Sequence, residues 1–225
     1  MWDEIAKELS RKHQIIRLDF PGFGQSESIA DDNAMKLFAW TTNELLSRLK
    51  VTDFKLIGHS MGAYVALELA CICQNKIKHL VLLHSTAKAD SEQKQYARIR
   101  AIEAVKEKKN IYLRTAIPLL ASKQLQEICK KHIKKMTQEA EALSPEGILV
   151  ALVGMRQRET HTKTVQKFKG TITYISGTFD PVLSNDAIKD EAYNNGADFI
   201  EIKNAGHMSH WENPNELKAQ LLKLI

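Results

Sequence analysis

The sequence predicts an α/β protein: a mostly parallel sheet with flanking helices and a helical segment inserted into it. Three observations carry that expectation. Short apolar runs at residues 54–57, 77–84, 171–176 and 199–203 read as strands, and helix-period patterns separate them. The run Leu80-Val81-Leu82-Leu83 is apolar at every position, as suits a strand buried on both faces, and such strands belong to parallel sheets. Residues 88–158 are helical in period and hold two strands much further apart than an ordinary crossover needs.

Taken in order, Trp2, Ile5 and Leu9 are spaced as one face of a short helix. Residues 13–20 contain the β-branched pair Ile15-Ile16 and predict a strand before a turn at Pro21-Gly22. Asp31, Asp32 and Asn33 can cap the next helix, whose apolar stripe is Met35, Phe38, Ala39, Thr42, Leu45, Leu46 and Leu49. After the strand at 54–57, residues 62–73 are small and apolar enough for an interior helix. Inside the insertion, Lys130, Lys131, Lys134 and Lys135 recur around Ile128 and Ile133, which describes the wet side of an amphipathic helix. Past the strand at 171–176 come a helix near 185–193 and the strand at 199–203. Asn213-Pro214-Asn215-Glu216 then offers a cap, a proline at the first helical position and an acid to close a capping box. The last helix packs through Leu217, Leu221 and Leu224. The chain divides into a core of residues 1–85 and 171–225 and an inserted helical cap of residues 86–170, with no internal repeat and no low-complexity linker.

Composition narrows the class. With 225 residues, 44% hydrophobic and 26% charged, the chain can bury one sizeable core, which excludes disordered and fibrous classes. No apolar stretch approaches the ~20 residues that span a bilayer. The opening Met1-Trp2-Asp3-Glu4-Ile5 lacks the basic segment and long apolar run of a secretory signal, so a cytoplasmic location is expected. Cys71, Cys73 and Cys129 are an odd number and read as reduced thiols, the first two pointing to different sides of a helix. Residues 86–170 carry 18 Lys and Arg against 9 Asp and Glu, a net +9, while the remainder is −4. That charge permits a carboxylated, phosphorylated or carrier-linked substrate, although helical spacing makes it first of all a solvated face. No aromatic interleaving or motif points to nucleic acid.

The chemistry centres on Gly58-His59-Ser60-Met61-Gly62, a G-x-S-x-G pattern with a strand ending before it and a helix beginning after it. A sharp turn there exposes the serine hydroxyl at the strand's C-terminal end, and the flanking glycines remove side chains that would collide. A serine hydroxyl needs a base, and the base needs an acid to hold its tautomer. Asp180 follows the strand at 171–176, and His207 follows the strand at 199–203. Both loops lie past strand C-termini, where a parallel sheet places its site. The rivals are Asp90 as a relocated acid, His210 as base, His59, which should point away, and His84, which can line the pocket or sit as a core histidine.

With residues 18–26 (LDFPGFGQS), the elbow, Gly177-Thr178-Phe179-Asp180 and Gly206-His207 with Glu212-Asn213-Pro214, the sequence resembles the α/β-hydrolase family. It is most similar in style to small esterases, lactonases and carbon-carbon bond hydrolases that carry a helical cap. The resemblance implies Ser60 as nucleophile, Asp180 as acid, His207 as base and the Met61 N–H as an oxyanion donor, with no metal or organic cofactor. A serine at the nucleophile position argues against the dehalogenase and epoxide-hydrolase chemistries that use aspartate there. The implied activity is hydrolysis of an ester or related acyl bond of a small molecule through an acyl-enzyme; the alternatives are lactone or carbon-carbon hydrolysis, or a binding protein without turnover.

One departure bears on all of these. The family carries further strands and a His-Gly loop ahead of the segment that opens this sequence, and no such loop precedes Asp19. That loop supplies a second oxyanion amide, and losing one donor costs about 3–4 kcal/mol of transition-state stabilisation. The strand ahead of it lies between the two represented by residues 13–20 and 54–57, so the expectation is unpaired ladder groups or two neighbours forced together. Either the sequence starts at an internal methionine, or the protein is shortened with altered activity; a retained triad and cap favour the first.

Overall fold

The computed structural model describes residues 1–29, 31 and 33–225. Four parallel strands form one sheet in the order β1 (Phe54–His59), β2 (Ile77–Leu83), β3 (Thr171–Gly177) and β4 (Asp198–Ile202). The register sets Gly58 beside Leu82, Leu83 beside Ile175, and Gly177 beside Ile202, so all four strands end along one edge. The chemistry predicted from sequence begins just beyond that edge.

Strand alternation divides the core. Leu80 and Leu82 of β2, with Ile172 and Tyr174 of β3, face one cluster, built with α2 (Ala34–Arg48), α3 (Met61–Cys73) and α8 (Asn185–Asn194). Val81, Leu83 and Ile175 face a second cluster, built with α1 (Asp3–Leu9) and α10 (Pro214–Leu224). The result is helix, sheet, helix, and it explains why residues 80–83 of β2 read as uninterrupted apolar sequence. Each of its buried leucines contributes roughly 1.5–3 kcal/mol relative to exposure.

Between β2 and β3 the chain is helical: α4 (Glu92–Ala116), α5 (Gln126–Ala142), α6 (Pro145–Gln157) and α7 (Thr162–Gln166). Val105, Leu113, Ile117, Ile148 and Leu152 form a separate apolar cluster inside this segment. Ser91 caps α4 by accepting from Lys94 N, and Lys108 breaks its helical angles partway along.

Several local expectations are corrected. Residues 13–20 form no strand; a β-branched pair favours extended backbone, but a strand also needs a ladder, and β1 pairs only with β2 among the described residues. The segment is anchored by side chains instead, Ile15 against the α1/α10 cluster and Phe20 stacked on Phe38 at 5.0 Å. Of the expected α2 cap, Asp32 lies outside the described residues; Asn33 makes no capping bond, and Asp31 Oδ1 accepts from Asn33 N at 2.6 Å. Leu49 falls just past that helix and is exposed. On α5 the buried side is Cys129 with Ile133 and Met136, while Ile128 points to solvent. At α10, Asn213 caps Glu216 N at 3.4 Å, but Glu216 reaches back to the Asn213 side chain rather than its backbone N–H. The predicted sequence patterns missed α7 and the one-turn α9 (Ser209–Glu212).

Candidate active site

Ser60 sits between β1 and α3 with φ 51° and ψ −118°, a strained conformation for a residue with a side chain. The strain is held by three bonds. Ser60 N donates to Leu83 O at 2.9 Å, and its carbonyl accepts from Ala63 N at 3.0 Å and from Ser85 Oγ at 3.1 Å.

The two glycines of the motif differ in role. A Cβ on Gly58 would lie 2.5 Å from both Ala63 Cα and Gly62 O, so strand and helix could not approach as they do. A Cβ on Gly62 would meet nothing within 4 Å, which corrects the expectation that both remove a clash. Gly58→Ala should therefore cost about 2 kcal/mol or more, by overpacking against backbone. Gly62→Ala should raise stability by up to ~1 kcal/mol through helix propensity. Urea unfolding midpoints separate the two, and equal responses would refute the distinction.

The sheet edge brings Ser60, His207 and Asp180 together. Ser60 Oγ lies 2.9 Å from His207 Nε2, and His207 Nδ1 lies 2.9 Å from Asp180 Oδ2. This network assigns the proton to Nδ1, which donates to the carboxylate and leaves Nε2 free to accept from the serine. Ser60 is half-buried, and the other two are almost completely buried. Asp180 Oδ1 accepts from Val182 N at 2.8 Å and Leu183 N at 3.1 Å. Burial pushes the Asp180 pKa up, but the hydrogen bonds from His207 and His84 outweigh it and hold the carboxyl far below the usual carboxylate range.

Sequence reasoning left His84 undecided and did not anticipate its partner. It follows β2 at φ 49°, so β1, β2, β3 and β4 are followed in turn by Ser60, His84, Asp180 and His207. His84 Nδ1 donates to Asp180 Oδ2 at 3.0 Å, and its Nε2 accepts from Ser209 Oγ at 2.7 Å. Burial keeps this imidazole below its ordinary pKa, and hence neutral. Asp180 Oδ2 thus faces both histidines, while Oδ1 also lies 3.2 Å from His207 Nδ1.

The His207 loop is held from several sides. Glu212 accepts from Gly206 N at 2.8 Å, Met208 N at 2.9 Å and Ser122 N at 2.7 Å. The last bond ties the inserted helices to the loop, as does the stack of His132 on Trp211 at 5.3 Å. His59 does point away from the serine: its Nε2 donates to the His207 carbonyl at 2.8 Å. His210 lies edge-on to His59 at 4.7 Å and to Trp2 at 4.5 Å, and neither of its ring nitrogens has a partner among the described residues. Asp90, the rival acid, lies elsewhere, paired with Arg158 at 2.7 Å and Arg98 at 3.2 Å. Donor atoms of His84, Asp180 and His207 lie within 4.8 Å of one another, the spacing of a metal site, but direct hydrogen bonds already join them and an ion would have to displace those bonds.

Comparison with known proteins agrees with the fold. A family model described as alpha/beta hydrolase fold matches residues 1–103. A thermophilic esterase from Thermogutta terrifontis, solved with malate bound, superposes with a TM-score of 0.91 at 25% identity, covering 99% of this chain and 83% of that one. The dihydrolipoyllysine-residue acetyltransferase component of an acetoin cleaving system from Pseudomonas putida is 25% identical over 220 residues, 96% of this chain. The (E)-2-((N-methylformamido)methylene)succinate hydrolase of Acinetobacter baylyi is 27% identical over 106 residues, 47% of this chain. The chain spans 57% and 40% of the lengths of these two curated relatives. The chain has the alpha/beta hydrolase fold. Among the described residues, no helix is long and apolar enough to cross a membrane.

Proposed function

We propose that this chain is a serine hydrolase that cleaves an ester or related acyl bond of a small molecule, with Ser60 as nucleophile, His207 as base and Asp180 as the acid behind it. The observation that carries this reading is the unbroken relay from Ser60 Oγ through His207 to Asp180, both links at 2.9 Å. His207 Nε2 takes the serine proton as Oγ attacks the carbonyl carbon. The same nitrogen then delivers that proton to the leaving group, and an acyl-enzyme remains on Ser60. Water attacks the acyl carbon with His207 again as base, and the acid is released.

Met61 begins α3, so its amide is one of the N–H groups that the helix itself leaves without a partner. It lies at the positive end of the helix dipole and is suited to the developing oxyanion. Residues 86–170 are read as the cap that shapes the substrate pocket, in keeping with the bonds that Ser122 and His132 make to the His207 side of the site. Two of the similar proteins, an esterase and a succinate-derivative hydrolase, have activities of this class, whereas the third is an acetyltransferase component.

A fluorophosphonate probe tests the reading directly. Intact protein should be labelled at Ser60, and Ser60→Ala should not be labelled, with p-nitrophenyl ester hydrolysis lost in parallel. Folded protein that leaves the probe unreacted would overturn the assignment in favour of binding without turnover.

A further inference from the structure

Far along α3 from Ser60, a second set of nucleophile, imidazole and carboxylate comes together. Glu68 and Cys71 are three positions apart and share a helix face. That face meets His161, the residue immediately before α7. His161 Nδ1 lies 3.6 Å from Cys71 Sγ, and its Nε2 lies 3.1 Å from Glu68 Oε1. Thr164 Oγ1 completes the group, 3.4 Å from the sulfur and 3.3 Å from His161 Nδ1.

The backbone that carries the ring is fixed on both sides. His161 N donates to Ala87 O at 2.6 Å, and its carbonyl accepts from Val165 N at 3.0 Å. His161 and Glu68 are buried, whereas Cys71 is exposed. A reagent in solvent therefore reaches the sulfur but not the groups behind it.

An imidazole between a thiol and a carboxylate is placed to hold the thiol's proton, because the resulting cation sits between two anions. The electrostatic surroundings act in the same direction. Hydrogen bonds to Cys71 and Glu68 push His161 up to about 9 against the effect of burial, and the His161 hydrogen bond pulls Cys71 down. The other two thiols lack this support: burial pushes Cys73 up and raises Cys129 to about 11. Cys71 lies in the last turn of α3, where the helix dipole opposes an anion, so the thiolate depends on His161. Tyr64, Arg158 and Glu159 line the hollow next to Glu68 and His161 and complete its ionisable surroundings.

We propose that Cys71, with His161 as its base and Glu68 as the acid behind the base, is a reactive thiolate that undergoes covalent exchange with small disulfides. The site is separate from Ser60 and does not depend on the hydrolase reading. The thiolate attacks one sulfur of the disulfide, a new sulfur-sulfur bond forms, the old one breaks, and the departing thiolate takes the proton held on His161.

Iodoacetamide alkylation mapped by peptide mass, at pH 7 and pH 8, tests the proposal on the intact chain. An ordinary thiol gains about eightfold in rate over that interval, following its thiolate fraction. Cys71 should gain clearly less, and both His161→Ala and Glu68→Gln should move its rate ratio toward the ordinary value. Glu68→Gln leaves the imidazole in place, so it keeps the test decisive if His161→Ala fails to fold. Glutathione disulfide should add one glutathione, at Cys71, and none to Cys71→Ser. An eightfold gain at Cys71 in the unaltered chain, unchanged pH ratios in the variants, or an adduct at Cys73 instead would overturn it.

Discussion

Replacing Asp180 by asparagine is expected to lower ester turnover about ten-thousandfold without unfolding the chain, because the substitution forces the wrong tautomer on His207. The carboxylate has fixed donors on both sides: Val182 N and Leu183 N on Oδ1, and the Nδ1 atoms of His84 and His207 on Oδ2, with His207 Nδ1 at a longer 3.2 Å from Oδ1. An amide has one acceptor oxygen. Backbone N–H groups cannot become acceptors, but imidazoles can change tautomer, so the oxygen turns to Val182 and Leu183 and the NH2 group faces both histidines. Each Nδ1 then accepts, and each proton moves to Nε2. For His84 this is harmless, because Ser209 Oγ can accept as well as donate. For His207 the new proton points at Ser60 Oγ, 2.9 Å away, and the base can no longer take a proton from the serine. The measurement is kcat on a p-nitrophenyl ester, with circular dichroism confirming the fold. A loss of less than about tenfold would mean that Asp180 does not set the tautomer.

What the sequence revealed and what it hid follow from how local each signal is. The convergence of Ser60, Asp180 and His207 was legible because each stands in a short loop after a segment whose own pattern announces a strand, and parallel strands present those loops on one edge. β2 was legible because burial on both faces leaves no polar alternation. Residues 13–20 misled because extended propensity belongs to a segment, whereas membership of a sheet belongs to a pair. His84 could be placed at a strand end but not assigned a partner, since its bond to Asp180 crosses from β2 to β3 over 96 positions. The role of Glu212 was hidden although its motif was visible: its spacing from Gly206 is local, but the bond to Ser122 N spans 90 positions. His161 and Cys71 are equally remote, and a charged Glu68 in the middle of an otherwise apolar helix was the one hint that something polar waits on that face.

The largest stability effect should come from acid. His84 and His210 are buried and His59 packs half-buried against them; desolvation lowers the pKa of each, with neighbouring histidines adding to the shift, and for His59 and His210 it is well below the ordinary value. In the unfolded chain each histidine takes up a proton as pH falls through about 6.5, while the folded chain resists doing so, and the unfolded state is favoured. From pH 7 to pH 5 the loss is about 2 kcal/mol for each fully resisting histidine, or roughly 4 kcal/mol for His59 and His210 together. That is a large share of the 5–15 kcal/mol typical of a domain. His161 acts in the opposite range: its pKa is raised, so its contribution is complete below about 6.5 and is lost as pH rises through about 9. Asp180, held low, keeps its contribution throughout the window and begins to lose it only below about 4. Urea unfolding at pH 7, 6 and 5 should therefore show a steep decline. His210→Phe separates titration from packing, since phenylalanine keeps a ring against Trp2 and His59 and removes two ring nitrogens that have no partner among the described residues. The variant should be more stable than the parent by about 1 kcal/mol at pH 7, and its decline toward pH 5 should be shallower by about 2 kcal/mol. An unchanged slope in His210→Phe would show that the acid sensitivity arises elsewhere than in this cluster.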